Sequence, residues 1–191
     1  MSLEMLMLPA EKELFRATLS ACSEYFEYGL GGSTVEAAKT VSTVAGVDSS
    51  LDWCNKVTQE APSVRAHHVD IGPIKHAGYP DDRSTRDKWP DYPRSIFDVA
   101  NKPDVILIDG RFRVACAAQV FLFCKHKKIT PTVLLHDAYR GHYVSISRLF
   151  RLHSTTPSQS NKKGMYRFDV DLSISETVAN DIFEKFKYDA R

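Results

Sequence analysis

The stretch Tyr25-Phe26-Glu27-Tyr28-Gly29-Leu30-Gly31-Gly32-Ser33-Thr34 sets a short aromatic run before closely spaced glycines and a pair of hydroxyl side chains. It reads as strand, tight loop and helix start. Glycine lets a backbone take positive φ or approach a ligand without a Cβ in the way, and Ser33 and Thr34 stand where an N-cap belongs. The N–H groups of such a loop suit a carboxylate or phosphate, which points to a nucleotide-like cofactor. A dinucleotide fingerprint beginning at Gly29 needs a third glycine where Thr34 stands, and no Gly-Lys-Ser/Thr follows at the interval of a phosphate-binding loop. Glu27, two positions before Gly29, would repel a pyrophosphate and suits a cofactor bearing an ammonium group.

These residues resemble the first motif of the class I S-adenosylmethionine-dependent methyltransferases, acidic-x-Gly-x-Gly at the end of the first strand. Val44-Ala45-Gly46-Val47-Asp48 is similar to the family's second strand and its ribose-holding acid. His68-Val69-Asp70-Ile71 is similar to the third strand's end, where an Asp meets the adenine. Asp104-Val105-Ile106-Leu107-Ile108-Asp109-Gly110 resembles the fourth strand with its acidic motif, so the likeness covers roughly residues 20–150. The resemblance implies that Glu27, Gly29, Gly31, Gly32 and Ser33 cradle the methionine end. It assigns Asp48 and Ser49 to the ribose, Asp70 and Ile71 to the adenine side, and Asp109 to a further cofactor contact. The implied activity is methyl transfer to a small-molecule acceptor, at oxygen. Two alternatives stay open: an NAD-dependent oxidoreductase of Rossmann type, against which Glu27 and Thr34 speak, and a cofactor-binding protein without catalysis.

In-line methyl transfer needs a held nucleophile and, for a hydroxyl or amine, a base. Asp109, His136 and Asp137 are the candidates, His136 foremost because an unperturbed imidazole titrates near neutrality. Asp109 and Asp137 also match two ligands of the magnesium-dependent catechol-type O-methyltransferases, but Ala138 stands in place of the third, an Asn; that loss weakens such a site without abolishing it, so a divalent metal is the lesser expectation and no metal ligand is assigned. Arg111, Arg113 and Arg140 suggest an anionic acceptor. The alternative is that they pair with Asp81, Asp82 or Asp91. No Asn/Asp-Pro-Pro-Tyr-like motif follows the fourth strand, which speaks against methylation of nucleobase amines.

The elements that must position these groups follow from hydropathy pattern. Helices are expected over 9–21, 34–40, 50–60, 95–101, 111–128, 141–150 and 175–186, and strands over 25–28, 42–47, 65–69, 103–109, 132–135, 152–155 and 165–170. Their alternation predicts one α/β domain over 1–191, with a doubly wound, mostly parallel sheet. The resemblance extends this to seven strands with an antiparallel C-terminal pair. Gly29, Asp48, Asp70, Asp109 and His136-Asp137 then share one edge, where open α/β sheets bind ligands. Pro73, Gly78, Pro80, Pro90 and Pro93 predict an irregular loop over 72–93, whose Tyr79 and Trp89 are expected on the substrate side with Arg111 and Arg140. A polar loop is expected over 158–164.

Composition sets the remaining bounds. The chain has 191 residues, a formal charge of +1, and four cysteines without Cys-x-x-Cys spacing. Neither nucleic acid nor a membrane is expected as partner, and the reading is a reduced, cytoplasmic protein. A homo-oligomer is compatible with the chain.

Overall fold

The computed structural model describes residues 3–157 and 164–191, with His142 described by its backbone alone. The polar loop expected over 158–164 lies, apart from Gly164, outside the described residues.

Strands β1 (Glu24–Tyr28), β2 (Thr43–Asp48), β3 (Arg65–His68), β4 (Val105–Ile108), β5 (Thr132–Leu135), β6 (Phe150–Thr155) and β7 (Tyr166–Val170) form a 7-stranded sheet in the order β3-β2-β1-β4-β5-β7-β6. The first five are parallel to one another, whereas β7 runs antiparallel to both β5 and β6. The order reverses between β1 and β4, and that switch point opens a crevice beyond the carboxyl ends of the strands.

Side-chain alternation splits the core in two. Tyr25, Val44, Val105, Leu107 and Leu134 face one layer of helices, and Phe26, Tyr28, Ala45, Val47, Ile106, Ile108 and Val133 face the other. The first layer holds α1 (Pro9–Leu19), α2 (Gly32–Ala37) and α3 (Leu51–Glu60). The second holds α4 (Asp91–Arg94), α5 (Ile96–Val99), α6 (Arg113–Lys127) and α7 (Glu176–Phe186). Pro9 opens α1 at the one position where a missing N–H is harmless, and Glu11 accepts the N–H of Leu8 at 2.6 Å. Ser50 caps α3 and Ser175 caps α7.

The segment 72–93 departs from the irregular loop expected of it. An isolated bridge joins Ile74 and Pro80, short 3-10 turns form at His76–Gly78 and Arg86–Lys88, and α4 begins at Asp91. Trp89 and Tyr92 are buried against Phe112, with ring centroids 5.8 and 5.9 Å from it. The prolines break the pattern without leaving the segment unpacked, because its aromatic rings are core. Gly141–Arg148 is 3-10 rather than α-helical, and β6 starts at Phe150, earlier than expected.

Candidate active site

The crevice at the switch point is a cavity of about 230 Å³. Its floor is the glycine loop, where Gly29 donates its N–H to Val47 O at 2.8 Å and takes φ +91°. A Cβ on Gly29 would lie 2.6 Å from the Cα of Gly110, so glycine is required for the loop after β1 to pass the loop after β4. Around Gly31 the opposite holds: a Cβ there would meet nothing within 4 Å, because the backbone faces open cleft.

Asp48 closes one side. Its carboxylate accepts the N–H of Leu30 at 3.0 Å and of Ser50 at 2.8 Å. Burial pushes its pKa up to about 6, although those two N–H donors oppose the shift. Asp109 closes the other side. Burial alone would raise its pKa, but the charges of His136 and Arg113 outweigh this and hold the carboxyl below its usual range. Arg111 arches over the cleft with its guanidinium carbon 4.2 Å from the Tyr79 ring centroid, and its buried Nη1 has no hydrogen-bond partner among the described residues.

Of the residues assigned from sequence, Gly29, Gly31, Gly32, Ser33, Asp48, Ser49, Asp109 and Arg111 line this one cavity. The others are placed elsewhere, each for an identifiable reason. Glu27 is fully buried beneath the loop, its carboxyl oxygens meeting the hydroxyls of Tyr25, Ser33 and Thr34, so it organises the loop and does not reach the cleft. The same contacts point the hydroxyls of Ser33 and Thr34 at Glu27, although Ser33 still lines the cleft, and Thr34 Oγ1 accepts the N–H of Gly31 at 2.9 Å. Asp70 is exposed and pairs with Lys88 at 2.7 Å, while Ile71 is core. Tyr79 supports Arg111 from below, and Trp89 is core.

His136 is not a free base. Its Nδ1 lies 3.0 Å from Asp109 Oδ1 and its Nε2 lies 3.3 Å from Glu11 Oε2. Burial would lower its pKa, but the carboxylates of Asp109, Asp137 and Glu11 outweigh that and lift it to about 9, so the ring is an imidazolium at neutral pH. Asp137, at φ +53°, pairs with Arg140 and lies 3.7 Å from Arg113. Arg140 lines a different cavity, of about 380 Å³, between the loop after β5 and the β6–β7 pair. None of Arg111, Arg113 and Arg140 forms an ion pair with Asp81, Asp82 or Asp91 among the described residues.

Arg113, expected with Arg111 and Arg140 to face an anionic acceptor, instead braces the site from within, and two contributors, Glu11 and the segment 3–7, were missed in the sequence. Arg113, at 2% exposure, donates to the carbonyls of Gly110 (2.9 Å), His136 (2.6 Å) and Asp109 (3.1 Å) and pairs with the Asp109 carboxylate at 3.0 Å. Glu11 reaches the site from the first turn of α1. Residues 3–7 cross the glycine loop so closely that a Cβ on Gly32 would sit 2.2 Å from the Glu4 backbone. The only sequence signal for Glu11 is its place three residues after Leu8 at a helix start, the pattern of a capping side chain. Among the described residues no group of three or more His, Cys, Asp or Glu side chains is placed to hold a metal, and no helix is long and apolar enough to cross a membrane.

Comparison with solved structures now decides the fold family. A methyltransferase-like protein of Silicibacter pomeroyi superposes with a TM-score of 0.81 at 26% identity, the match covering 98% of each chain. The chain has the fold of a class I methyltransferase. The N-methyltransferase NodS of Bradyrhizobium japonicum, solved with S-adenosyl-L-homocysteine, gives a TM-score of 0.51 at 13% identity over 85% of this chain and 88% of its own. Precorrin 8w decarboxylase of Methanobacterium thermoautotrophicum gives 0.54 at 10% identity, over 89% and 94%. These two share the fold with the methyltransferase-like chain. No protein-family model matches the sequence, and no curated protein does.

Proposed function

We propose that the cleft binds S-adenosylmethionine and that the chain transfers its methyl group to an acidic oxygen of a small anionic acceptor. The observation that carries the cofactor reading is the juxtaposition of Asp48, the open backbone at Gly31 and the Asp109 carboxylate around one cavity. Asp48 offers a hydrogen-bonded carboxylate to ribose hydroxyls. Gly29 and Gly31 offer close backbone approach to the amino-acid end. Asp109, ionised and facing the cleft, provides the negative charge for an ammonium that Glu27 does not. When bound, S-adenosylmethionine supplies an electrophilic methyl group.

The acceptor follows from what the residues lack. His136 is charged and held at both nitrogens, and Asp109 is held too acidic to be an effective base. An acceptor oxygen that is already ionised, a carboxylate or an acidic phenolate, needs no proton removed. Arg111 has a buried nitrogen free to hold it, and guanidinium groups suit such oxygens.

Calorimetry with S-adenosylmethionine, S-adenosylhomocysteine and NAD tests the cofactor. Both adenosyl compounds are expected to bind, and Asp48→Asn to weaken them about 10- to 100-fold, the value of hydrogen bonds to a charged group. Wild-type affinity should fall as pH drops through about 6, where Asp48 takes up a proton, whereas the Asn variant should show no such limb. Binding of NAD alone would overturn the reading. Replacing Arg111 with Ala should weaken an anionic acceptor more than it weakens S-adenosylhomocysteine.

A further inference from the structure

Glu11 is 1% exposed and belongs to no part of the cleft wall. A carboxylate so buried must be paired, and its partners lie on two separate parts of the molecule. Oε2 takes the Leu8 N–H at 2.6 Å, where the segment crossing the glycine loop enters α1, and also faces His136 Nε2 at 3.3 Å. The other nitrogen of that imidazole holds Asp109 at 3.0 Å. The segment's far end is tied as well, Leu3 donating its N–H to Glu60 at 2.7 Å. A line of contacts thus runs from segment 3–8 through Glu11 and His136 to the carboxylate that faces the cleft.

The cleft's size gives this line a consequence. At about 230 Å³ it falls below the ~300–1,000 Å³ of pockets that enclose ligands of drug size. Segment 3–7 lines it and lies against Gly32, so the position of the segment sets how far a nucleoside cofactor seated there is enclosed.

We propose that Glu11 is a positioning residue that latches segment 3–8 over the cleft through its ion pair with His136, and by the same pair fixes Asp109 toward the bound cofactor. The inference rests on the reading of the cleft as an S-adenosylmethionine site. The charged groups facing His136 are Glu11 from α1, Asp109 from the loop after β4, Asp137 beside it in the loop after β5, and Arg113 from α6. Holding Glu11 and Asp109 together therefore requires the imidazolium, with an N–H at each nitrogen. Once His136 loses its proton a single ring N–H is left for two facing carboxylates, so the attraction to Glu11 weakens and the latch loosens.

The test compares wild type with Glu11→Gln, which keeps shape and hydrogen-bonding atoms but removes the charge, and with Glu13→Gln, an exposed position on the same helix, as control. Three quantities are read: S-adenosylhomocysteine affinity from pH 6 to 10, the imidazole titration of His136 by NMR, and amide exchange of residues 3–8. Wild-type affinity should fall through about pH 9. In Glu11→Gln the titration and the affinity limb should both move down by about 1–2 pH units, with exchange at Leu8 rising at least roughly tenfold, a 1.4 kcal/mol change in opening. The control should match wild type. If wild type binds S-adenosylhomocysteine and Glu11→Gln changes neither limb nor exchange, the latch is overturned. If neither protein binds it, the cofactor reading fails, and the titration and exchange still decide the latch: shifts in both support it and their absence overturns it. His136→Asn, whose amide can stand in for Nδ1 toward Asp109 while abandoning Glu11, should raise the exchange and abolish the alkaline limb. It reads the same contact should Glu11→Gln not fold.

Discussion

Glu27 shows how far a residue's type can be from its role. An acid two positions before a glycine loop suggests a ligand contact, yet this one has no exposed surface and three hydroxyl donors. Burial raises its pKa to about 8, even though the Thr34, Tyr25 and Ser33 hydroxyls work the other way. The folded state therefore binds a proton that the unfolded chain releases near pH 4.5, and stability contributed below that pH is lost as pH rises toward 8. Urea midpoints of wild type should decline over this window, and Glu27→Gln, which carries no proton to lose, should flatten the decline. Glu27→Ala should instead lose about 2–4 kcal/mol at any pH, because three buried hydroxyls lose their acceptor. A wild-type midpoint that does not change between pH 5 and 8 would mean that Glu27 is ionised in the fold. The residue's place in the sequence said that it mattered; only the alternation of β1, which turns Tyr25 and Glu27 to the same buried layer, says where it points.

At the scale of elements, the glycine loop and the segment crossing it make opposite demands on adjacent residues. Gly31 is extended, at φ 174°, and faces open space, so alanine there should alter stability by less than about 0.5 kcal/mol. Its methyl group would project into the space assigned to the cofactor, and S-adenosylhomocysteine affinity should drop sharply. Gly32→Ala should do the reverse in part. Its Cβ would strike the Glu4 backbone, so the crossing segment must lift, at a cost of about 1–3 kcal/mol and with faster amide exchange over residues 3–8. Thermal melts and calorimetry on the two variants separate the roles, and equal loss of stability in both would argue against this geometry. The strands and the grouping of Gly29, Asp48 and Asp109 on one edge were legible because they depend on local pattern and right-handed crossover, whereas the seven-strand arrangement came from the family resemblance. Glu11, the crossing segment and the bracing role of Arg113 were not, since they arise where α1, α6 and two strand ends meet. Trp89 was misplaced for a related reason: an aromatic in a proline-rich segment signals packing on something without saying whether that is ligand or core.

Across the whole molecule, the sheet separates two apolar layers, and the cleft lies where β1 and β4 lead their chains apart above both. β4 serves the two layers equally, Val105 and Leu107 packing on one side and Ile106 and Ile108 on the other, all nearly without exposed surface. A strand shared in this way couples the layers, since neither can lose its packing while β4 keeps its place for the other. Leu107→Ala and Ile106→Ala should each destabilise the protein by about 2–5 kcal/mol, the cost of a buried aliphatic truncation. Each should lower the melting temperature by roughly 2–4 °C per kcal/mol in a chain of this size. Unfolding should stay a single transition with an unchanged denaturant slope in both variants, followed in parallel by far-ultraviolet circular dichroism and by tryptophan emission from Trp53 in the first layer and Trp89 in the second. Were the layers independent, Leu107→Ala would melt the α1–α3 side first and the probes would separate. Coincident curves would mean that the edge holding Asp48, Asp109 and His136 is stabilised by the whole sheet, which is what a cleft built from the ends of several strands requires.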